Sequence, residues 1–220
     1  SSPQRPGPPE PGTLEALSQG NLLFGHISSN LNGALLVQTG GLKPGSESLE
    51  LLLANGKQQS LDLPSSGTMQ LLPAGGGLVV PSYDGISLRP IQDNGQPPQV
   101  LPGSRELGAF CATSGRAVLI RHWPDYRRSI ELVIPGLAPR QLHLGEQAVL
   151  AVSCNGSGEQ IWAVFGIWQG RRSQHELVQF DSEGTVLRRQ NLDPWTLIPG
   201  TGVEHNPVDN TLLMTLTQPE

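Results

Sequence analysis

The sequence lacks most of the features that mark a membrane, metal-binding or nucleic-acid-binding protein. Only 15% of its 220 residues are charged, only 5% are aromatic, and only two are cysteine. No apolar run approaches the roughly 20 residues that span a bilayer, so we expect no transmembrane segment. The formal net charge of −5 provides no concentrated positive field for phosphate groups, which argues against nucleic acid as a partner.

Cysteine and histidine are also too sparse and too scattered to predict a transition-metal site. The two cysteines do not have zinc-ligand spacing, and the five histidines form no His-Glu-x-x-His motif. The chain contains no P-loop, no complete Gly-x-Gly-x-x-Gly motif and no Gly-x-Ser-x-Gly nucleophile elbow. We therefore expect no metal and no cofactor, and the sequence favours a non-enzymatic role with no catalytic residue assigned.

Glycine and proline, in contrast, are abundant, with 27 and 20 residues spread along the chain. This distribution indicates many short elements joined by turns, and it excludes a coiled coil. Five prolines in residues 1–12 predict an extended tether ahead of a domain over residues 13–220. A tether suits an exported protein held near a membrane by a lipid upstream of Ser1, so we expect an extracytoplasmic location (periplasmic, lumenal or cell-surface). An ordinary disordered tail is the alternative.

A turn residue followed by a short apolar strand recurs at intervals of 39 to 52 residues, at Gly33, Gly76, Gly115, Gly158 and Asn210. A second turn follows each of the first four copies after 19 to 26 residues. Four antiparallel strands in such an interval are typical of a β-propeller blade. The sequence therefore predicts an all-β propeller of four full four-stranded blades and a partial fifth, at about residues 20–64, 67–102, 106–145, 148–192 and 193–220.

The strands predicted for the third unit are 107–111, 117–122, 130–134 and 141–144. Those predicted for the fourth are 148–153, 160–165, 176–180 and 186–189. The fifth unit shows an inner strand at 195–198 and a second strand at 211–216, and residues 13–17 are a candidate outer strand for it. We favour a native chain that continues past Glu220 over a ring that closes with a reduced blade.

The fourth unit carries a resemblance to a known family. The segment from Asn155 to Ala163 resembles the Ser-Pro-Asp-Gly-x-x-Ile-x-Phe turn of TolB-like and WD-repeat-like propellers, and the segment from Glu176 to Gly184 resembles their later Ile-x-x-x-Asp-x-x-Gly strand. The pattern of turns extends from about residue 20 to about residue 217. The resemblance implies a binding platform, since few members of these families are enzymes.

Arginine and aromatic residues gather in the loops that join the second and third strands and in one blade-to-blade connection. In a propeller these loops lie at one end of every blade, which we call the loop face. Exposed Trp, Tyr and Arg are the residue types that dominate binding hot spots. The sequence thus predicts a scaffold that binds a protein partner through Tyr83, Arg121, His122, Trp123, Tyr126, Arg127, Arg128, Trp168, Arg171, Arg172, His175 and Trp195.

Two other interpretations remain open for these residues. Trp123 and Trp168 are candidate sugar-stacking platforms in a carbohydrate-binding or glycoside-cleaving propeller. Its acids would come from Asp84, Asp125, Asp193 and Glu204, none of which lies in a matching motif. Alternatively, the domain is a purely structural repeat whose aromatic side chains only pack.

Cys111 and Cys154 each precede a turn glycine by four residues, at the ends of the innermost strands of neighbouring units. A disulfide requires Cα atoms about 4.4 to 6.8 Å apart, and we expect equivalent inner-strand positions to lie slightly farther apart. The preferred interpretation is therefore two small buried residues in the seams between blades. A disulfide is the alternative, and it would support an oxidising compartment.

Overall fold

The structure is a computed structural model that describes residues 22–29, 32–41, 48–62, 68–72, 77–82, 84–91, 97–169, 172–206 and 209–218. All regular secondary structure in these ranges is β-strand. The described residues contain no helix long and apolar enough to cross a membrane. The predicted tether over residues 1–12 and the candidate outer strand at residues 13–17 lie outside the described residues.

The first sixteen strands form four antiparallel sheets, each built from four consecutive strands in chain order. Blade one contains β1 (Leu22–Ser29), β2 (Leu35–Gly41), β3 (Ser48–Leu52) and β4 (Gln58–Ser60). Blade two contains β5 (Gln70–Leu71), β6 (Gly77–Ser82), β7 (Gly85–Pro90) and β8 (Gln99–Pro102). Blade three contains β9 (Arg105–Cys111), β10 (Arg116–His122), β11 (Arg128–Val133) and β12 (Arg140–Gly145). Blade four contains β13 (Ala148–Cys154), β14 (Gln160–Gln169), β15 (Arg172–Asp181) and β16 (Val186–Asn191).

An apolar core lies between each sheet and the next, because successive side chains of a strand point to opposite faces. In β10, Val118 and Ile120 pack toward blade four, whereas Leu119 packs toward blade two. Comparable clusters join blade one to blade two and blade four to the strands that follow it. Consecutive four-stranded sheets that share their cores face to face are propeller blades, so the chain is an all-β propeller with four full blades and a partial fifth.

The partial fifth blade is a hairpin with two arms, and each arm contains two short strands. The first arm contains β17 (Thr196–Leu197) and β18 (Val203–Asn206), and the second contains β19 (Thr211–Met214) and β20 (Leu216–Thr217). β17 pairs with β20 and β18 with β19, so residues 199–202 are an excursion within one arm of the hairpin. The sequence predicted both arms but missed β18, because Pro199-Gly-Thr-Gly202 has the composition that ends a strand.

A disulfide joins blades three and four. Cys111 at the end of β9 bonds to Cys154 at the end of β13, and their Cα atoms are 5.5 Å apart. The expectation that these positions lie too far apart for a bond was wrong. The reason is the close approach of β9 to β13, where a Cβ atom on Gly108 would overlap the Cγ2 atom of Val152.

Candidate functional site

The turn between β10 and β11 projects from the loop face and is held by its own hydrogen bonds. The Trp123 N–H donates to the Arg127 carbonyl over 3.0 Å, and the Tyr126 N–H donates to the Trp123 carbonyl over 3.1 Å. The Arg127 Nε–H donates to Asp125 Oδ2 over 2.7 Å. Desolvation raises the pKa of Asp125, but the hydrogen bonds and charge of Arg127 outweigh it and leave that pKa below its ordinary value.

Tyr126 is the most exposed large side chain of this turn, with 91% of its surface accessible. Its φ of 66° lies in the left-handed region, which a bulky side chain rarely adopts. Two other turns have the same pair of backbone hydrogen bonds, over residues 53–57 and 181–185, and both place glycine at the equivalent position, Gly56 and Gly184. Tyr126 thus stands where the backbone favours glycine.

A buried charged cluster lies beneath this turn, on the side of blade three that faces blade two. The Glu131 carboxylate is paired with the Arg105 guanidinium, with Nε and Oε2 2.8 Å apart, and both side chains are 5% exposed. Arg121 Nη1 lies 3.7 Å from Glu131 Oε1. The Arg121 guanidinium also lies 3.7 Å above the ring of Trp123, whose indole N–H donates to Ser129 Oγ over 3.0 Å.

His122 and Arg128 lie on the opposite side of the same sheet, because each neighbours a residue that faces blade two. The Arg128 Nε–H donates to His122 Nδ1 over 3.4 Å, and His122 Nε2 is 3.3 Å from Glu106 Oε1. The predicted cluster of arginine and aromatic residues in blade three is therefore two groups separated by the sheet, with Tyr126 and Arg127 at the tip.

Blade four departs from the predicted loop. Residues 168–175 were predicted to form one loop, but β14 continues to Gln169 and β15 begins at Arg172, so Trp168 pairs in register with Ser173.

His175 is buried, and its Nδ1 accepts the Leu197 N–H over 2.7 Å. Burial lowers the pKa of His175. The prediction that His175 is exposed for binding was wrong: it attaches the fifth blade to the fourth.

The remaining predicted residues are only partly described. Tyr83 and Arg171 lie outside the described residues, and for Trp168 and Arg172 the structure describes the backbone pairing alone. Trp195 is exposed in the turn between β16 and β17, whose Trp195 N–H donates to the Leu192 carbonyl. By the up-and-down order of the strands, this turn lies at the same end as the β10–β11 turn.

Sequence reasoning missed Arg105, Ser129 and Glu131. A signal for Glu131 was present, since it is an acid inside the apolar run Ile-Glu-Leu-Val-Ile of residues 130–134. A charged residue that is buried must be paired, and the partner is found at the start of β9.

A concavity of about 440 Å³ lies between blades four and five. Trp162 lies in its wall and stacks on His205, with ring centroids 4.9 Å apart. Its other lining residues are Leu177, Gln179, Arg188, Gln190, Asn210, Thr211, Leu212 and Met214. Among the described residues no group of three or more His, Cys, Asp or Glu side chains is arranged to hold a metal ion.

Comparison with known proteins does not identify a function for the chain. No protein-family model matches the chain, and no curated protein matches it. Among solved structures, the chain is similar to the β-propeller domain of Cps50 (Swd1) from Myceliophteria thermophila, with 14% identity and a TM-score of 0.34. The match covers 91% of this chain and 94% of that one.

Proposed function

We propose that this propeller is a non-enzymatic scaffold that binds a protein partner through the β10–β11 turn of its loop face. The observation that carries the proposal is Tyr126. A side chain that is 91% exposed contributes little to the core, yet it occupies a backbone position that favours glycine. Strained backbone of this kind is characteristic of functional sites.

The surroundings of Tyr126 favour recognition of a protein. The turn is closed by backbone hydrogen bonds and by the Asp125–Arg127 pair, so little conformational freedom remains to be lost on binding. Tyrosine and arginine are enriched in hot spots because they combine a large contact area with directional hydrogen bonds. Trp195, at the same end of the neighbouring blade, adds a second exposed aromatic side chain.

A sugar-stacking role for Trp123 receives less support than protein binding. One face of its ring is covered by the Arg121 guanidinium, and its indole N–H is already bonded to Ser129. The exposed aromatic side chain of the turn is instead a tyrosine that projects outward, which suits insertion into a partner.

An oxidising compartment is part of the proposal. The Cys111–Cys154 disulfide supports it, because disulfides persist in secreted, lumenal and periplasmic proteins and are rare where thiols are kept reduced. The proposed partner is accordingly another exported or lumenal protein.

The proposal is tested by affinity capture from an extract of the cells that produce the protein. We compare the wild type with Tyr126→Ala and with Leu137→Ala, a 58% exposed residue of the β11–β12 turn at the other end of blade three. The expected result is a protein retained by the wild type and by Leu137→Ala and lost by Tyr126→Ala. Equal retention by all three would reject the turn as the binding site.

A further inference from the structure

We propose that the outer edge of β19, the edge that faces away from β18, binds an extended strand of a protein partner. The strand becomes the third strand of blade five, and it carries an apolar residue followed two residues later by an acidic one. This site is separate from the β10–β11 turn, so it goes beyond the proposed function. Three features carry the proposal: an open strand edge, an uncovered face of blade four, and an arginine to which the described residues supply no acid.

The outer edge of β19 is open among the described residues. β19 pairs with β18 along its inner edge, from Thr211 opposite Asn206 to Met214 opposite Val203, and no other described strand pairs with it. Every other described strand already belongs to a sheet, so none of them is left to cover this edge. An open edge presents a row of backbone N–H and C=O groups, which makes it a template for an added strand.

The two faces of β15 differ in how they are covered. Val178 and Phe180 point toward blade three and are buried, with exposures of 0% and 1%. They pack against side chains from the third and fourth strands of blade three, Ile130, Leu132 and Leu142. Leu177 and Gln179 point toward blade five, are only half-buried and line the concavity of about 440 Å³. The concavity therefore lies where a third strand of blade five would cover blade four.

Strand register divides this face of blade four into two rows of side chains. Leu177 and Gln190 pair to form what we call the leucine row. The arginine row contains Trp162, Gln179 and Arg188, which pair successively across β14, β15 and β16. All five side chains line the concavity, so an added strand would contact both rows.

The position of β19 fixes the order in which an added strand meets the two rows. Met214 lies beside the leucine row, because it packs in one cluster with Leu177. Leu212 lies beside the arginine row, because its partner His205 stacks on Trp162. β19 therefore runs from the arginine row to the leucine row. A strand added antiparallel to it runs the other way, and it places an apolar side chain at the leucine row two residues before a side chain at the arginine row.

The arginine row favours an acidic side chain. Arg188 is exposed, and within the part of the chain that the structure describes it forms no ion pair. Its neighbour Arg189 lies on the opposite side of the sheet and pairs with Glu176 over 2.9 Å. The other polar side chains that line the concavity are neutral: Gln179, Gln190, Asn210 and Thr211. A guanidinium among neutral groups binds a carboxylate through charge-assisted hydrogen bonds.

The test is an NMR titration of the full ¹⁵N-labelled chain, which follows the backbone amides of Thr211–Met214 and the Nε–Hε signal of Arg188. The probe is the peptide acetyl-Thr-Ser-Leu-Thr-Glu-Thr-Ser-amide, whose leucine and glutamate lie on one face of an extended strand. One control peptide has glutamine in place of glutamate. The other exchanges the glutamate with the threonine before it, which turns the carboxylate to the opposite face. We expect saturable shifts with the probe and about fivefold weaker binding of either control, as for an exposed ion pair.

Two arginine variants locate the carboxylate. Arg188→Gln should weaken binding of the probe about fivefold and remove the difference between the glutamate and glutamine peptides. Arg189→Gln is the matched control, because Arg189 follows directly in β16 but pairs with Glu176 on the other face, and it should leave the titration unchanged. Both arginines are exposed, so both variants should fold.

Two methylated peptides test whether the probe binds as a strand. Alternate N–H groups of a strand point to opposite edges, so N-methylation blocks one edge at the leucine and glutamate, and the other edge at the threonine between them. One methylated peptide should lose binding and the other should retain it. Equal binding of the two would overturn the pairing with β19.

Other occupants of the edge give different results, each of which overturns the proposal. Nuclear Overhauser contacts between Thr211–Met214 and another segment of the same chain, present before any peptide is added, would assign the edge to this chain itself. Signals of Thr211–Met214 that shift on dilution would assign it to a second copy. The proposal also fails if the probe gives no saturable shift, if the glutamine peptide binds equally, or if Arg188→Gln binds as the wild type does.

The titration and the capture experiment fail separately, since Tyr126→Ala should leave the peptide titration unchanged. A silent titration with capture that depends on Tyr126 would overturn this inference and leave the proposed function standing. A positive titration with capture that ignores Tyr126 would do the reverse.

Discussion

Tyr126 occupies in the β10–β11 turn the position that Gly56 occupies in the β3–β4 turn. In both turns the N–H of this residue donates to the carbonyl three residues earlier, and φ is positive, 66° for Tyr126 and 78° for Gly56. In both, the residue before it caps the turn: Asp125 Oδ1 accepts the Arg127 N–H, and Asn55 Oδ1 accepts the Lys57 N–H. The two turns have the same backbone construction, but one has glycine at this position and the other has tyrosine.

This relationship predicts that Tyr126→Gly stabilises the fold. Glycine adopts positive φ without the steric cost of a Cβ atom, and we expect the free energy of unfolding to rise by about 1 kcal/mol. For a chain of this size the melting temperature should rise by about 2–4 °C. Thermal unfolding, followed by circular dichroism, measures the melting temperatures of the wild type and of Tyr126→Gly. A clear fall in melting temperature would show that the tyrosine ring supports the fold.

The disulfide between Cys111 and Cys154 closes a loop with a sequence separation of 43. Replacing both residues by serine should lower the free energy of unfolding by about 2–4 kcal/mol, since the unfolded chain regains freedom. A reductant should destabilise the wild type by a similar amount and leave the double variant unchanged. Identical melting of the wild type with and without reductant would contradict the pairing.

Glu131→Gln should destabilise the fold by about 3 kcal/mol, because it leaves Arg105 buried without a counter-charge. Glu183→Gln is the matched control. Its carboxylate pairs with Arg140 at an exposed site, where the loss should be below about 1 kcal/mol. Urea unfolding of the two variants measures the difference, and equal effects would argue against a buried pair in blade three.

Gly108→Ala should destabilise the seam between β9 and β13 by about 1–3 kcal/mol, because the added methyl group overlaps Val152. Val152→Ala in the same chain should recover part of that loss by making room. Gly202→Ala, where a Cβ atom would meet open space, should be nearly neutral. A Gly108→Ala variant as stable as the wild type would mean that these strands are farther apart.

Burial lowers the pKa of His175 from its ordinary value of 6.5, so the unfolded chain binds more protons than the folded chain once the pH falls below that value. The contribution of His175 to stability is therefore complete above pH 6.5 and is lost as the pH falls toward the lowered pKa. Burial, aided by the charge of Arg189, likewise lowers the pKa of His143. In urea unfolding from pH 8 to pH 5, His175→Asn should lose less stability than the wild type. If the wild type and His175→Asn lost the same free energy of unfolding between pH 8 and pH 5, His175 would not be a titrating group.

Much of the fold was predictable because turns and strands leave local signals. Gly115 and Gly158 have positive φ, as the turn pattern requires, and the apolar runs after them form β10 and β14. The strands predicted for blade three agree with the observed ones to within two residues at each end. Local composition therefore carries most of the information about a meander of hairpins.

The site was less predictable because it depends on distances between strands that are remote in sequence. Nothing near Glu131 shows that Arg105, 26 residues earlier, is its partner. The length of the β14–β15 hairpin was underestimated because Gln, Ser and Arg residues after Trp168 have the polarity of a loop, although they pair in register. The separation of Cys111 and Cys154 likewise depends on how closely two blades approach.

Site-specific photo-crosslinking shows directly whether the β10–β11 turn contacts a protein partner. A benzophenone amino acid is placed at position 126 in one protein and at position 137 in another, and each is irradiated in an extract of the producing cells. We expect a discrete crosslinked protein from position 126 and none from position 137. Unlabelled wild type should compete this crosslink away, and unlabelled Tyr126→Ala should not. Equal crosslinking from both positions, or equal competition by both proteins, would contradict binding at this turn.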